Sequence, residues 1–231
     1  MKQVEIQITY DFICPWCWIG HKNLEKALDV DDSGASFVVS YLPYELNPTL
    51  PPAGVDRREY RTRKFGTWQR SQAMDADVTT SGKRVGLDFD YDRVKVTPNT
   101  LLAHRLMVFA RRAGDARRTG DLFNAIFEAY FSRGENIGDV SVLEVVAVAV
   151  GFDGDEVRAF LLSDQGKAEV LAYELDGQEG GINSVPMIQI GSRRIQGAQP
   201  ASLLLHALES VTGASNANGD TCAEDLVDTQ R

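Results

Sequence analysis

The sequence is short of three things: cysteine, positive charge and long apolar runs. Three cysteines among 231 residues are too few for a fold built on disulfides. Lys and Arg total 24 against 33 Asp and Glu, a formal charge of −9, so nucleic acid, which needs a basic surface to neutralise its phosphates, is not expected as a general partner. The longest apolar run, Val145 to Val150, falls far short of the roughly 20 residues that span a bilayer, and no membrane association is expected. The start, Met1-Lys2-Gln3-Val4-Glu5-Ile6, alternates and carries an acid where a secretory signal keeps a continuous apolar stretch. A cytoplasmic location is therefore expected, where structural disulfides do not persist. What is present is ample for a core: 43% hydrophobic and 25% charged residues, which excludes a disordered chain.

Residues 4–10 alternate with period two, the mark of a half-buried strand. The helical stretch beyond them carries Ile19, Leu24, Ala27 and Leu28 on one side, and Ser36 to Tyr41 reads as a second strand. Strand, helix and strand in that order normally build a parallel pair through a right-handed crossover. From about 55 to 178 the signals are almost all helical. Thr97-Pro98 predicts a helix start running on through Leu101, Leu102, Leu106 and Phe109. Asp139 predicts a cap for a helix closed by Gly151, and Asp153 with Glu156 resembles a capping box. The sheet returns at Val185 to Ile190 and Arg193 to Gln196, and a last helix runs from Pro200 to Val211. The expected class is α/β. Residues 1–54 and 179–212 form one discontinuous domain, residues 55–178 a helical insertion domain, and residues 213–231 a flexible acidic tail.

Cys14-Pro15-Trp16-Cys17 follows the first strand and opens the first helix. In an intracellular protein that context reads as a thioredoxin-like redox dithiol, which makes the fold a thioredoxin-like βαβ…ββα with a large all-helical insertion. Cys14 is placed where unpaired N–H groups and the helix dipole stabilise a thiolate, the attacking species in disulfide exchange. Cys17, about one turn on, is placed to resolve the mixed disulfide. Pro15 costs nothing there, because its missing N–H falls in the unpaired first turn, and Trp16 is expected to shape redox poise and docking. A structural zinc site would need a second ligand pair. Only Cys222, His21, His104 and His206 remain, none paired at ligand spacing, and no metal is expected.

With Ser184-Val185-Pro186 at the start of the returning strand, the sequence resembles the DsbA family of thioredoxin-fold oxidoreductases, and within it the FrnE-like branch. That branch is related to 2-hydroxychromene-2-carboxylate isomerases and kappa-class glutathione transferases. The matching pieces are Asp11 to Gly20, Tyr44-Glu45-Leu46-Asn47-Pro48, Asn99-Thr100 with Ala103-His104-Arg105, Ala129-Tyr130-Phe131, Gly181 to Pro186 and Gly197-Ala198-Gln199-Pro200. The resemblance implies a cis proline at Pro186 beside Cys14, with the backbone of Val185 pairing with a substrate chain. It implies a thiol–disulfide oxidoreductase or isomerase serving protein or small-molecule thiols. Met187 and Ser184 stand where many relatives carry threonine and glycine. Cys222 stands alone where some FrnE-like proteins carry a second pair, which argues against a two-dithiol relay.

Asn47 resembles a glutathione-contacting position of the related transferases and isomerases; its other reading is an Asx turn before Pro48. His104 reads either as a substrate-side proton carrier or as a packed helical residue. Six basic residues between Arg57 and Arg70 read as a solvated helix face or as a rim attracting an acidic substrate such as glutathione. No cofactor is expected to be bound, glutathione is the candidate co-substrate, and the assembly is expected to be a monomer or homodimer. Two other functions remain: a glutathione-dependent isomerase or transferase acting on a small aromatic or polyketide-like molecule, and a non-enzymatic binding module or holdase.

Overall fold

A computed structural model of the chain describes residues 3–213. The acidic tail predicted at 213–231, with Cys222, lies outside these residues except for Gly213. Strand β1 (Gln3–Tyr10) leads through α1 (Pro15–Val30) to β2 (Ser36–Pro43), which pairs with β1 in parallel from Gln3↔Ser36 to Tyr10↔Pro43. The alternation foreseen in β1 puts Val4, Ile6 and Ile8 in the core. At the far end of the strand alternation stops, and Thr9, Tyr10 and Asp11 are all buried. Both faces are covered there, because helices of the insertion close over that end.

The insertion runs β3 (Val55–Asp56), α2 (Arg57–Phe65), α3 (Trp68–Arg84), β4 (Val96–Thr97), α4 (Leu101–Arg112), α5 (Ala116–Phe131), α6 (Val140–Ala149), α7 (Gly154–Leu162) and α8 (Lys167–Glu179). The caps predicted at Asp139 and Asp153 are present: their carboxylates accept from the N–H groups of Ser141 (2.8 Å) and Glu156 (2.9 Å). The start predicted at Thr97-Pro98 is corrected. Thr97 pairs with Val55 in a two-residue ladder, and Asn99 bridges the N–H of Leu101 and the carbonyl of Leu50, so the helix opens only at Leu101. Buried Arg105 donates to the carbonyls of Phe160, Leu161, Ser163 and Gln165, so its charge is met by peptide oxygens and α4 is fastened to the end of α7.

The chain then returns as β5 (Met187–Ile190), antiparallel to β1, and β6 (Arg193–Gln196), antiparallel to β5, before α9 (Ala201–Thr212). The sheet order β2-β1-β5-β6 puts β1 inside, so the peptide that follows it emerges at the centre of one sheet edge. Helix α1 packs on α9 and also reaches into the insertion. Trp18 stacks on Phe127 (centroids 5.9 Å apart, planes 7° apart) and donates its indole N–H to Asn124 Oδ1 at 3.1 Å. Among the described residues, no helix is long and apolar enough to cross a membrane.

Candidate active site

Cys14 is the N-cap of α1 and Pro15 its first residue, as the motif required. The turn is closed by the Cys14 N–H on the Asp11 carbonyl and the Cys17 N–H on the Cys14 carbonyl, both 3.0 Å. Both thiols are free; Cys14 is 8% exposed and Cys17 is fully buried. The Cys14 thiol donates to the Val185 carbonyl at 3.7 Å, and the peptide from Val185 to Pro186 is cis. Burial pushes the Cys17 thiol well above its ordinary range, and the hydrogen bond and charge of Cys14 push it further, against a backbone hydrogen bond from Asp11. One sulfur therefore faces outward and the other is kept as a thiol behind it.

In front of Cys14 lies a cavity of about 350 Å³ whose wall includes Trp16, Leu46, Asn47, Tyr60, Lys64 and Phe65. Trp16 is 40% exposed, a large apolar surface left open beside Cys14. The Asn47 side chain does not form an Asx turn. Its Oδ1 accepts from Tyr60 Oη (2.5 Å) and Lys64 Nζ (3.3 Å), while its Nδ2 is buried with no partner among the described residues. The basic run divides in two. Arg57 and Arg61 pair with Asp75 (2.7 and 2.9 Å), whereas Lys64 is held by the neutral oxygens of Tyr60 and Asn47; Arg57, Arg61, Asp75 and Lys64 all line the cavity. The solvated face foreseen for that run is made by Arg58, Arg63 and Arg70, which are exposed.

Behind the dithiol lies a group that the sequence reading did not assemble. Asp11 is fully buried; its Oδ2 accepts from the Leu46 N–H at 2.6 Å, and its Oδ1 lies 3.3 Å from His104 Nε2. His104 is also fully buried, its ring between Tyr10 and Phe12. Of the two readings of His104, the packed helical residue matches its place: it lies behind the site and does not line the cavity in front of Cys14. Glu174 of α8 accepts from the Glu45 N–H at 2.7 Å. Burial raises Glu45 to about 7 against the pull of His104, with Glu174 and Asp11 adding to the rise, and burial raises Glu174 as well. Asp11 and Glu45 stand inside motifs already singled out, but no local pattern marks Glu174, which comes from the far end of the insertion. Among the described residues no cluster of His, Cys, Asp and Glu could hold a metal ion.

A central strand running into a capped dithiol helix, with a proline-led strand alongside, defines a thioredoxin-type redox domain. Residues 5–209 match the DSBA-like thioredoxin domain, and the chain belongs to that family. It is 29% identical over 205 residues to the uncharacterized protein YwbO of Bacillus subtilis (strain 168), covering 84% of this chain and 90% of that one. It is similar to the crystal structure of the probable DsbA oxidoreductase SCO1869 from Streptomyces coelicolor, with a TM-score of 0.81, 26% identity and coverage of 97% and 94% of the two chains. The fold is also that of the cytosolic disulfide reductase DsbM from Pseudomonas aeruginosa, solved with GSH, at a TM-score of 0.60 and 17% identity over 91% and 96% of the chains. The class is that of a DsbA-like oxidoreductase.

Proposed function

We propose that this protein is a thiol–disulfide oxidoreductase that works through the Cys14–Cys17 pair, with a small anionic thiol of the glutathione type among its partners. The observation that carries the reading is the division between the two sulfurs: Cys14 at a helix N-cap facing a cavity and the Val185 carbonyl, Cys17 buried one turn behind it. A disulfide RS–SR′ brought into the cavity is attacked by the Cys14 thiolate, forming a mixed disulfide and releasing R′S⁻. Cys17 then gives up its proton and attacks Cys14 Sγ; the bond to the substrate breaks, RS⁻ leaves, and the Cys14–Cys17 disulfide forms. Run backwards, the same steps oxidise a dithiol.

Val185 and Pro186 offer an extended substrate segment the backbone beside Cys14. Lys64 and the unpartnered Asn47 amide suit a carboxylate and a peptide carbonyl, and Trp16 covers the sulfur-bearing arm. A glutathione-dependent isomerase is the second reading, favoured by the apolar side of the cavity at Phe65, Met74 and Val78, which suits an aromatic ring. The two are separated by Cys17→Ser. Under the oxidoreductase reading this variant accumulates a Cys14–glutathione mixed disulfide, visible by mass spectrometry, and turnover falls to the uncatalysed rate. Turnover equal to wild type would overturn the dithiol mechanism.

A further inference from the structure

A second cavity, of about 180 Å³, is walled by residues of β2, α4, α5 and α8 and shares no wall residue with the cavity in front of Cys14. His104, Met107, Val108 and Arg111 recur at i, i+3, i+4 and i+7, so one stripe of α4 lines it from fully buried His104 to exposed Arg111. Val39 and Tyr41 add to the wall from β2. A volume of roughly 150 Å³ within apolar side chains is enough to hold one benzene ring. This cavity therefore has room for a single ring, and none for a peptide or a nucleotide.

Several polar groups on this wall are already engaged. The Tyr41 hydroxyl lies 3.1 Å from His21 Nε2, and the Thr119 hydroxyl donates to the Asp115 carbonyl at 2.8 Å. Arg111 donates to Tyr173 Oη (2.6 Å) and Glu169 Oε1 (2.7 Å). His104 differs. Its Nε2 lies 3.3 Å from Asp11 Oδ1, a carboxylate oxygen with only lone pairs to offer, so the ring N–H is assigned to Nε2 and Nδ1 is left as an acceptor. That Nδ1 is buried with no hydrogen-bond partner among the described residues. An unpaired buried acceptor is costly, and a donor brought into the cavity removes that cost.

We propose that this cavity is a binding site for a neutral single-ring phenol, its ring held among Val39, Met107 and Val108 and its hydroxyl donating to His104 Nδ1. Charge favours a neutral ligand over an aromatic acid. Arg111 is the one Lys or Arg on the wall among the described residues, and Glu169 already balances it. A hydrocarbon of the same size would fill the volume but leave the nitrogen unpaired. The site stands whether or not Cys14 and Cys17 exchange disulfides, since it uses no residue of the front cavity.

The methionines report which cavity is occupied, because Met107 lines this one and Met74 the one in front of Cys14. The full-length protein, labelled at its methionine methyl groups, is titrated with phenol and followed by NMR. A saturable shift is expected at Met107 with Met74 unmoved, and it is expected to vanish in Val39→Phe, whose ring takes up the cavity. Toluene, which matches phenol in size but has no O–H, then identifies the recognising atom. The ratio of phenol to toluene affinity is expected to fall about tenfold in His104→Leu. A shift at Met74 in place of Met107, no saturation, or unchanged phenol binding in Val39→Phe overturns the proposal, and these readings do not depend on the folding of a His104 variant. An unchanged ratio in folded His104→Leu overturns it too. So does benzoate binding more tightly than phenol, since Arg111 and not His104 would then select the ligand.

Discussion

Burial gives neighbouring titratable residues opposite pH signatures. His21 is lowered to about 4 by desolvation, against the raising charge of Glu25, and its Nε2 lies 3.1 Å from the Tyr41 hydroxyl. The unfolded chain binds that proton below about 6.5 and the folded one only below about 4, so the stability tied to a neutral His21 is lost as pH falls through that window. Glu45 has the reverse sign. Its folded value of about 7 lies above the ordinary 4.5, so its contribution is lost as pH rises from 4.5 to 7. Because the windows overlap, each is read as a difference from a variant in urea titrations. Wild type gains on His21→Gln as pH rises from 4 to 6.5, by up to about 3 kcal/mol, and loses ground to Glu45→Gln from 4.5 to 7. Equal pH slopes in wild type and variants would refute this assignment. At this scale Cys14 and Cys17 stood out by type and spacing, whereas the cis bond at Pro186 was expected from the family resemblance alone. Glu45 and Glu174 did not stand out, because nothing in a glutamate's neighbours along the chain says that folding will bury it.

Helix α1 shows what an element must satisfy at once. Its first turn presents the thiols, Trp18 binds the insertion, and Gly20 lets the helix approach the proline-led strand: a Cβ there would lie 3.3 Å from Pro186 Cγ and 3.4 Å from Ala198 Cα. A larger side chain must push that strand away. Gly20→Leu is expected to lose about 1–3 kcal/mol and to slow exchange at Cys14. Thermal denaturation and thiol alkylation together check this, and wild-type values in both would show that the approach is not needed. Strong caps such as Asp139 and Asp153 were readable because the pattern is contained in four residues. The Thr97-Pro98 start was misplaced because a ladder of two residues per strand is too short to leave a periodicity, yet it is enough to hold Thr97 out of the helix.

Over the whole molecule, the net charge of −9 repels anionic thiols, while on the cavity wall Arg57 and Arg61 are paired to Asp75 and Lys64 is held by neutral oxygens. Lys64→Glu is therefore expected to raise KM for glutathione disulfide several-fold, with a smaller effect on a neutral disulfide such as bis(2-hydroxyethyl) disulfide. Steady-state kinetics decide it, and an equal effect on both substrates would mean that charge at Lys64 does not select the partner. The βαβ…ββα frame and its helical insertion were visible in the order of periodicities along the chain. The cavity in front of Cys14 was not, since its wall is drawn from segments far apart in sequence. The sheet order also has a consequence in time. Strand β1 lies between a neighbour that follows it directly and another, β5, encoded only from Met187 onward. While the chain is being made, Cys14 and Cys17 are present from the first moments, but the strand that completes their surroundings comes late, after the whole insertion. A nascent chain thus carries both sulfurs through most of its synthesis before the finished site can enclose them.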